Sequence, residues 1–153
     1  MDRAGIPHLT VTELAKLIET KQVSPVEAVE AYLDRIEQVN PVVNAYVTVC
    51  AEEARRDARQ AEEEIQQGHY RGPLHGVPVA IKDQIHTKGI RTTDGSKLRA
   101  TFVPEEDATV MANLKKAGAI LLGKLNMSEF ALGDPASSAS GAPRNPWDLE
   151  RNP

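Results

Sequence analysis

The order strand, helix, strand in the second half of this chain constrains its fold more than any other feature. Residues 78–81 form a short apolar run, which predicts a buried strand. Apolar residues at helical spacing predict a helix over residues 108–117, and the apolar run 119–122 predicts a second strand. Strands joined through a helix pair in parallel, with both faces covered. The sequence therefore predicts an α/β fold in which these two strands are adjacent and roughly parallel.

The first half of the chain predicts helices that pack on the start of a mixed, partly parallel sheet. Apolar residues at helical spacing indicate a first helix, capped by Thr10 or Thr12. Ser24, Pro25 and Glu27 form a capping box with proline at the first helical position. A second helix should therefore begin there.

The stretch after the second helix is expected to switch to strand and back to helix. Asn40-Pro41 should end the second helix, because proline restricts the residue before it. Residues 42–49 are rich in β-branched side chains and predict a short strand, and an alanine stripe predicts a third helix over residues 51–67. Gly68 should stop that helix.

The length of 153 residues favours a single domain. Within it we expect a helical part over residues 1–70 and an α/β part over residues 71–133. Residues 134–153 are rich in proline and serine, so we expect an irregular part without a core of its own.

Charge, hydropathy and cysteine content exclude several kinds of partner. The net charge is −4 and both signs are interspersed, so no direct contact with nucleic acid is expected. No apolar stretch approaches the length of a membrane span, so no membrane contact is expected. The lone Cys50 suits a reducing compartment, which predicts a cytoplasmic protein.

No metal or cofactor site is predicted. One cysteine gives no zinc pattern, and none of the histidines is spaced as a metal pair. The glycine motifs that bind nucleotide phosphates are also missing. The four histidines of the chain are His8, His69, His75 and His86.

Lys82 ends the first predicted strand and is the strongest candidate for a catalytic residue. Period-two alternation puts Ala80 and Lys82 on one face and Ile81 and Asp83 on the other, so Asp83 is not placed to neutralise Lys82. A desolvated lysine without a carboxylate has a lowered pKa and can act as a neutral base. The alternative is a strand-end lysine that extends into water.

The segment around Lys82 resembles a known family. Residues 76–83, Gly-Val-Pro-Val-Ala-Ile-Lys-Asp, are similar to the lysine motif of the amidase-signature family. Similar blocks follow in that family's order at residues 88–93, 95–96, 107–110, 117–120, 123–131 and 144–148. The opening helices fit too, so the resemblance covers essentially the whole chain.

The resemblance implies an amide hydrolase with a Ser–cis-Ser–Lys triad, no cofactor and a small-molecule amide as substrate. In that family the lysine takes a proton from a bridging serine, and that serine takes one from the nucleophilic serine. The nucleophile attacks the amide carbonyl, and backbone N–H groups of a Gly-rich loop stabilise the oxyanion. Lys82 matches the catalytic lysine.

A second group of residues is expected on the substrate side. It follows the end of the second strand after a short connection, where α/β folds place ligands. Its members are Phe130, Ala131, Leu132 and Gly133.

The sequence departs from the family at its end. There the family continues into Gly-Gly-Ser-Ser-Gly-Gly-Ser, which carries the bridging serine and leads to the nucleophile, whereas this chain stops at residues 151–153. Ser137, Ser138 and Ser140 lack the Gly-rich setting. We therefore expect the chain alone to be inactive, with Lys82 open to water, and its partner to be the remainder of the amidase domain.

Alternatives to a general amide hydrolase stay open. One is the A subunit of the tRNA-dependent amidotransferase, which hydrolyses glutamine and sends ammonia to a partner subunit. Another is a non-catalytic module that binds a partner through an incomplete sheet, and a homodimer is open as well. The stretch Thr93-Asp94-Gly95-Ser96 mildly favours a general amidase, while Gln84, where many members have Asn, has no assigned effect.

Overall fold

The computed structural model describes residues 2–151 and Pro153. Its strands are β1 (Tyr46–Val49), β2 (Pro78–Lys82) and β3 (Ile120–Leu125), and they form one mixed sheet in the order β1-β3-β2. β1 and β3 are antiparallel.

β2 and β3 run parallel, as the sequence predicts. Ile120 N–H donates to Val77 O at 2.9 Å, and Asp83 N–H donates to Leu125 O at 3.0 Å. These bonds advance in the same direction along both strands, which is the parallel pattern. The predicted α/β fold with two adjacent parallel strands is confirmed.

The helices lie close to their predicted ranges. The α-helices are α1 (Val11–Glu19), α2 (Pro25–Val43), α3 (Ala51–Gln66) and α4 (Thr109–Lys116). Short 3₁₀ helices cover Arg3–His8, Lys97–Arg99 and Pro135–Ser137, and Glu129–Ala131 forms a single turn with non-helical backbone at Phe130. Within the described part of the chain, no helix is both long and apolar enough to cross a membrane.

Hydrogen bonds at the starts of α1 and α2 confirm the predicted caps. Thr10, rather than Thr12, caps α1: its hydroxyl accepts from Glu13 N–H at 3.2 Å, and the Glu13 carboxylate accepts from Thr10 N–H at 2.8 Å. Ser24 and Glu27 form the same reciprocal pair before α2, at 3.1 and 2.8 Å. Each capping box satisfies two N–H groups that the helix itself leaves without partners.

The predicted end of α2 is wrong. The helix continues through Pro41 to Val43, and β1 starts at Tyr46 instead of residue 42. A proline this close to the end of a helix removes only one bond to an earlier carbonyl. The helix stops at Asn44, which has a left-handed φ of 50° and whose N–H donates to Asn40 O at 2.8 Å.

The predicted end of the second strand is also wrong. β3 extends through Gly123 and Lys124 to Leu125. A glycine followed by a lysine suggests the end of an apolar run, yet Lys124 is fully buried at 0% exposure. The strand can continue because polar groups within the fold meet the buried ammonium, as a buried charge requires.

The chain divides into two compact units. The first consists of Met1–Glu37, Cys50–Val79 and Asn113–Leu122, and the second of Gln38–Val49, Ala80–Ala112 and Gly123–Pro153. Every candidate site residue belongs to the second unit. The core of the first unit is formed by apolar side chains, namely Ile6, Leu14, Ala15, Ile18, Val23, Ala28, Ala31, Ile65 and Val77.

Candidate active site

Lys82 is the last residue of β2, and its side chain is exposed. Its neighbours Ile81 and Asp83 are buried, at 6% and 1% exposure, as period-two alternation requires. The exposed amine agrees with what the sequence predicts for this chain alone. The main chain at this strand end is fixed, whereas the four-carbon stem of the lysine extends away from it.

Asp83 is anchored at both its side chain and its main chain. Carboxylate Oδ2 accepts hydrogen bonds from Thr93 N–H at 3.0 Å and from the Thr93 hydroxyl at 2.5 Å. The carbonyl of Asp83 accepts from Asp94 N–H at 3.2 Å. Asp83 is thus engaged on the buried side, as the predicted alternation implies, and does not neutralise Lys82.

Lys124 is the buried lysine of this site and is not among the residues predicted from the sequence. Its ammonium donates to Ile85 O at 2.8 Å and to Thr92 Oγ1 at 2.6 Å. Asp83 Oδ1 lies 3.6 Å from the same nitrogen, so the buried pair is charge-balanced. Period-two alternation continued from Ile120 through β3 would have placed Lys124 on a buried face.

Asp94 connects the strand end at Lys82 with the predicted substrate-side segment. Its N–H bonds to the carbonyl of Asp83, and its carbonyl accepts from Phe130 N–H at 2.8 Å. Asp94 itself has a left-handed φ of 52°, and its carboxylate forms an ion pair with Arg99. The two candidate groups are therefore linked through a single residue.

The predicted substrate-side segment has strained backbone and exposed apolar side chains. Phe130 and Ala131 have left-handed φ values of 49° and 61°, which non-glycine residues rarely adopt. Phe130 is 47% exposed and Leu132 is 76% exposed. Strain of this kind occurs preferentially where a ligand is held.

The loop before this segment packs closely against it. The Ser96 hydroxyl donates to Glu129 Oε1 at 2.6 Å. Gly95 has a left-handed φ of 67°, and a Cβ there would lie 2.7 Å from Met127 O. Only glycine fits, because both the conformation and the close approach exclude a side chain.

The serines of the irregular part serve as loop anchors. The Ser137 hydroxyl donates to Asp134 O, and the Ser138 hydroxyl donates to Asn126 Oδ1, both at 2.7 Å. The carbonyl of Ser140 accepts from the Asn44 side chain at 2.9 Å. These bonds support the loop interpretation over a nucleophile. Among residues 2–151 and 153, no cluster of three or more His, Cys, Asp or Glu residues suitable for a metal ion occurs.

Comparisons with known proteins match most of this chain. A family model described as Amidase matches residues 27–153. The A subunit of the glutamyl-tRNA(Gln) amidotransferase of Moorella thermoacetica is 50% identical over 147 residues, which cover 95% of this chain and 30% of that protein. The corresponding protein of Geobacter metallireducens is 52% identical over 143 residues, covering 93% of this chain and 29% of its own length.

Solved structures agree as well. The native peptide amidase from Stenotrophomonas maltophilia superimposes with a TM-score of 0.83 at 31% identity, over 91% of this chain and 30% of that one. This chain therefore spans about 30% of the length of the curated relatives that it matches.

Proposed function

The chain belongs to the amidase family, and from this membership we propose that it supplies the lysine base of an amide hydrolase with a Ser–cis-Ser–Lys triad. The observation that carries the proposal is the position of Lys82. Its main chain is bonded into a buried strand end, while its amine is free to reach a hydroxyl. In this proposal both serines lie on polypeptide outside residues 1–153.

The proposed reaction moves two protons and one acyl group. Neutral Lys82 takes the proton of the bridging serine, which takes the proton of the nucleophilic serine as that oxygen attacks the amide carbonyl. Collapse of the tetrahedral intermediate releases the amine or ammonia, which carries a returned proton. Water then attacks the acyl-serine and releases the carboxylic acid.

Of the two hydrolytic functions, we favour the glutamine-hydrolysing A subunit of a tRNA-dependent amidotransferase. The relatives at 50% and 52% identity carry that name, whereas the peptide amidase is 31% identical. These identities outweigh the mild preference for a general amidase that residues 93–96 gave. In this function glutamine is the small-molecule amide, and ammonia passes to a partner subunit.

The proposed partners follow from what the structure leaves uncovered. β1 and β2 are the edge strands of the described sheet, and edge strands present unpaired main-chain groups. Leu98 and Trp147 are exposed at 87% and 95%. We propose that the remainder of the amidase domain covers these strand edges and side chains, in the reducing cytosol that the lone Cys50 suits. A non-catalytic module is less favoured, because the exposed amine at the end of β2 and the similarity to amidotransferase and amidase enzymes support a base there.

The test is ammonia release from glutamine by the full-length protein and its Lys82→Ala variant, with C-terminal peptide amides as the competing substrate. We expect glutamine to be hydrolysed and Lys82→Ala to abolish the reaction. Turnover of peptide amides but not glutamine would favour the general amidase. An unimpaired Lys82→Ala variant would reject both.

A further inference from the structure

We infer that Lys124 and Asp83 are a positioning pair for Lys82. The inference rests on the proposed function, because it assigns a role to the buried pair beside the proposed base. Their side chains are 0% and 1% exposed, and the charged atoms are 3.6 Å apart. Neither is accessible to a substrate, so any influence on the reaction is indirect, and the turn that follows Lys82 is the shortest path from the pair to the proposed base.

Lys124 holds the turn in which the main chain leaves β2. Its ammonium donates to Ile85 O at 2.8 Å, and Ile85 N–H donates to Lys82 O at 3.0 Å. Lys82 and Ile85 are the two ends of that turn. The ammonium therefore fixes one end, and the turn's own hydrogen bond transmits this constraint to the other.

Asp83 holds the same turn from the residue after Lys82. Its N–H donates to Leu125 O on β3, its carbonyl accepts from Asp94, and Oδ2 accepts two bonds from Thr93. Oδ1 has no hydrogen-bond partner in the part of the chain that the structure describes, and it lies next to the Lys124 ammonium. The aspartate thus stabilises the buried cation that anchors the turn.

These bonds fix the main chain from which the Lys82 side chain extends, although the amine itself is exposed. A general base must lie within hydrogen-bond reach of the proton that it takes. A small displacement of a catalytic group lowers the rate of the chemical step strongly. We therefore expect the buried pair to affect kcat and to leave KM unchanged, since neither residue contacts the substrate.

The first test is Lys124→Met in the full-length protein, with glutamine as substrate. Methionine has a similar length but cannot donate to Ile85 O. We expect kcat to fall by roughly 10- to 100-fold, up to the loss that a misplacement of about 1 Å causes, with KM unchanged. This variant also leaves Asp83 buried without its cation, which destabilises the fold.

The double variant Asp83→Asn/Lys124→Met separates positioning from folding. It removes both charges together, so we expect its Tm to return close to that of the wild type. Ile85 O still lacks its donor, so kcat should stay reduced by roughly 10-fold or more. A folded double variant with wild-type kcat would overturn the inference, because the pair would then be purely structural.

A third variant is informative even if the double variant does not fold. Thr93→Val removes one hydrogen bond to Asp83 and keeps both charges. We expect kcat to fall by roughly 10-fold with KM unchanged, because a small displacement of the base slows the chemical step. An unchanged kcat would overturn the inference as well.

Two further variants complete the experiment. Lys116→Met removes an exposed lysine outside the site, and it should keep wild-type kcat and Tm. Lys82→Ala identifies which idea fails: if it keeps full turnover, the proposed function fails. If it abolishes turnover while the folded double variant works normally, only the positioning role fails.

Discussion

The main-chain N–H of Phe130 donates to the carbonyl of Asp94 at 2.8 Å, and both residues have left-handed φ values. Asp94 is also bonded to Asp83, the residue after Lys82. A strained segment is therefore linked by two main-chain bonds to the end of β2. This link is why we expect residues 130–133 and the Lys82 amine to face the same substrate.

Leu132→Ala tests the substrate-side segment. Leu132 is 76% exposed, so its loss should change the free energy of unfolding by no more than about 0.5 kcal/mol. If the side chain contacts substrate in the full-length protein, KM should rise by roughly 10-fold. The matched control is Leu98→Ala, since Leu98 is 87% exposed and lies outside the segment. Equal KM values for the two variants would remove Leu132 from the substrate site.

Because His75 is buried, we expect the folded protein to lose stability at mildly acidic pH. Its Nδ1 accepts from Arg71 N–H at 3.1 Å, so the neutral ring carries its proton on Nε2. Nε2 lies 3.2 Å from Glu64 Oε2 without the geometry of a hydrogen bond. Burial is the main cause that lowers the pKa of His75, and the Arg71 charge adds to it.

The direction of this pH effect depends on whether the folded or the unfolded state binds the proton more readily. The unfolded chain protonates this histidine at its ordinary pKa of about 6.5, whereas the folded protein does so only at lower pH. Stability from neutral His75 is thus complete above that pH and is lost as pH falls toward the folded pKa. Urea unfolding between pH 8 and pH 5 should show this loss, and His75→Gln should reduce it. Replacing the exposed His69 by glutamine should leave this pH-dependent loss unchanged. If stability falls with pH equally in both variants, His75 is not the residue responsible.

Gly118→Ala and Gly68→Ala form a matched pair that separates a steric clash from backbone strain. Both glycines have left-handed φ, at 84° and 86°. A Cβ at Gly118 would lie 2.5 Å from His75 Cδ2, whereas nothing lies within 4 Å of one at Gly68. We expect Gly68→Ala to lower the free energy of unfolding by about 1 kcal/mol. Gly118→Ala should cost about 1–3 kcal/mol more, because the core must also shift. Equal losses in chemical denaturation would show that the clash relaxes freely.

Local sequence signals predicted much of this fold. The capping boxes of Thr10 and Ser24 and the stop at Gly68 depend on neighbouring residues alone, and the structure reproduces them. The parallel pairing of β2 and β3 followed from the order strand, helix, strand along the chain. The end of α2 was missed because Pro41 is a strong signal, while Asn44 tolerates the left-handed conformation that stops the helix.

The candidate site could be predicted only in part. Lys82 could be predicted because a lysine directly after an apolar run stands out. Lys124 also follows an apolar run, but there the lysine indicated only the end of a strand. Its burial depends on Asp83, Thr92 and Ile85, which lie at least 32 positions away in the sequence. No local pattern encodes such a network, because its members meet only after the strands have paired.

Lys82→Arg in the full-length protein is the sharpest test of the proposed base. Lys82→Ala should lower the rate of the chemical step by at least about 10²-fold, the lower range for a general base. Arginine keeps the positive charge and a similar reach, but its guanidinium stays protonated and cannot accept the serine proton. The arginine variant should therefore be as impaired as the alanine variant.

The arginine variant distinguishes a base from a fixed charge, because arginine keeps the charge but cannot accept a proton. The measurement is kcat/KM with glutamine as substrate for the full-length wild type, Lys82→Arg and Lys82→Ala. If the arginine variant keeps near-normal turnover, Lys82 acts through its charge, and the serine proton must go to another group.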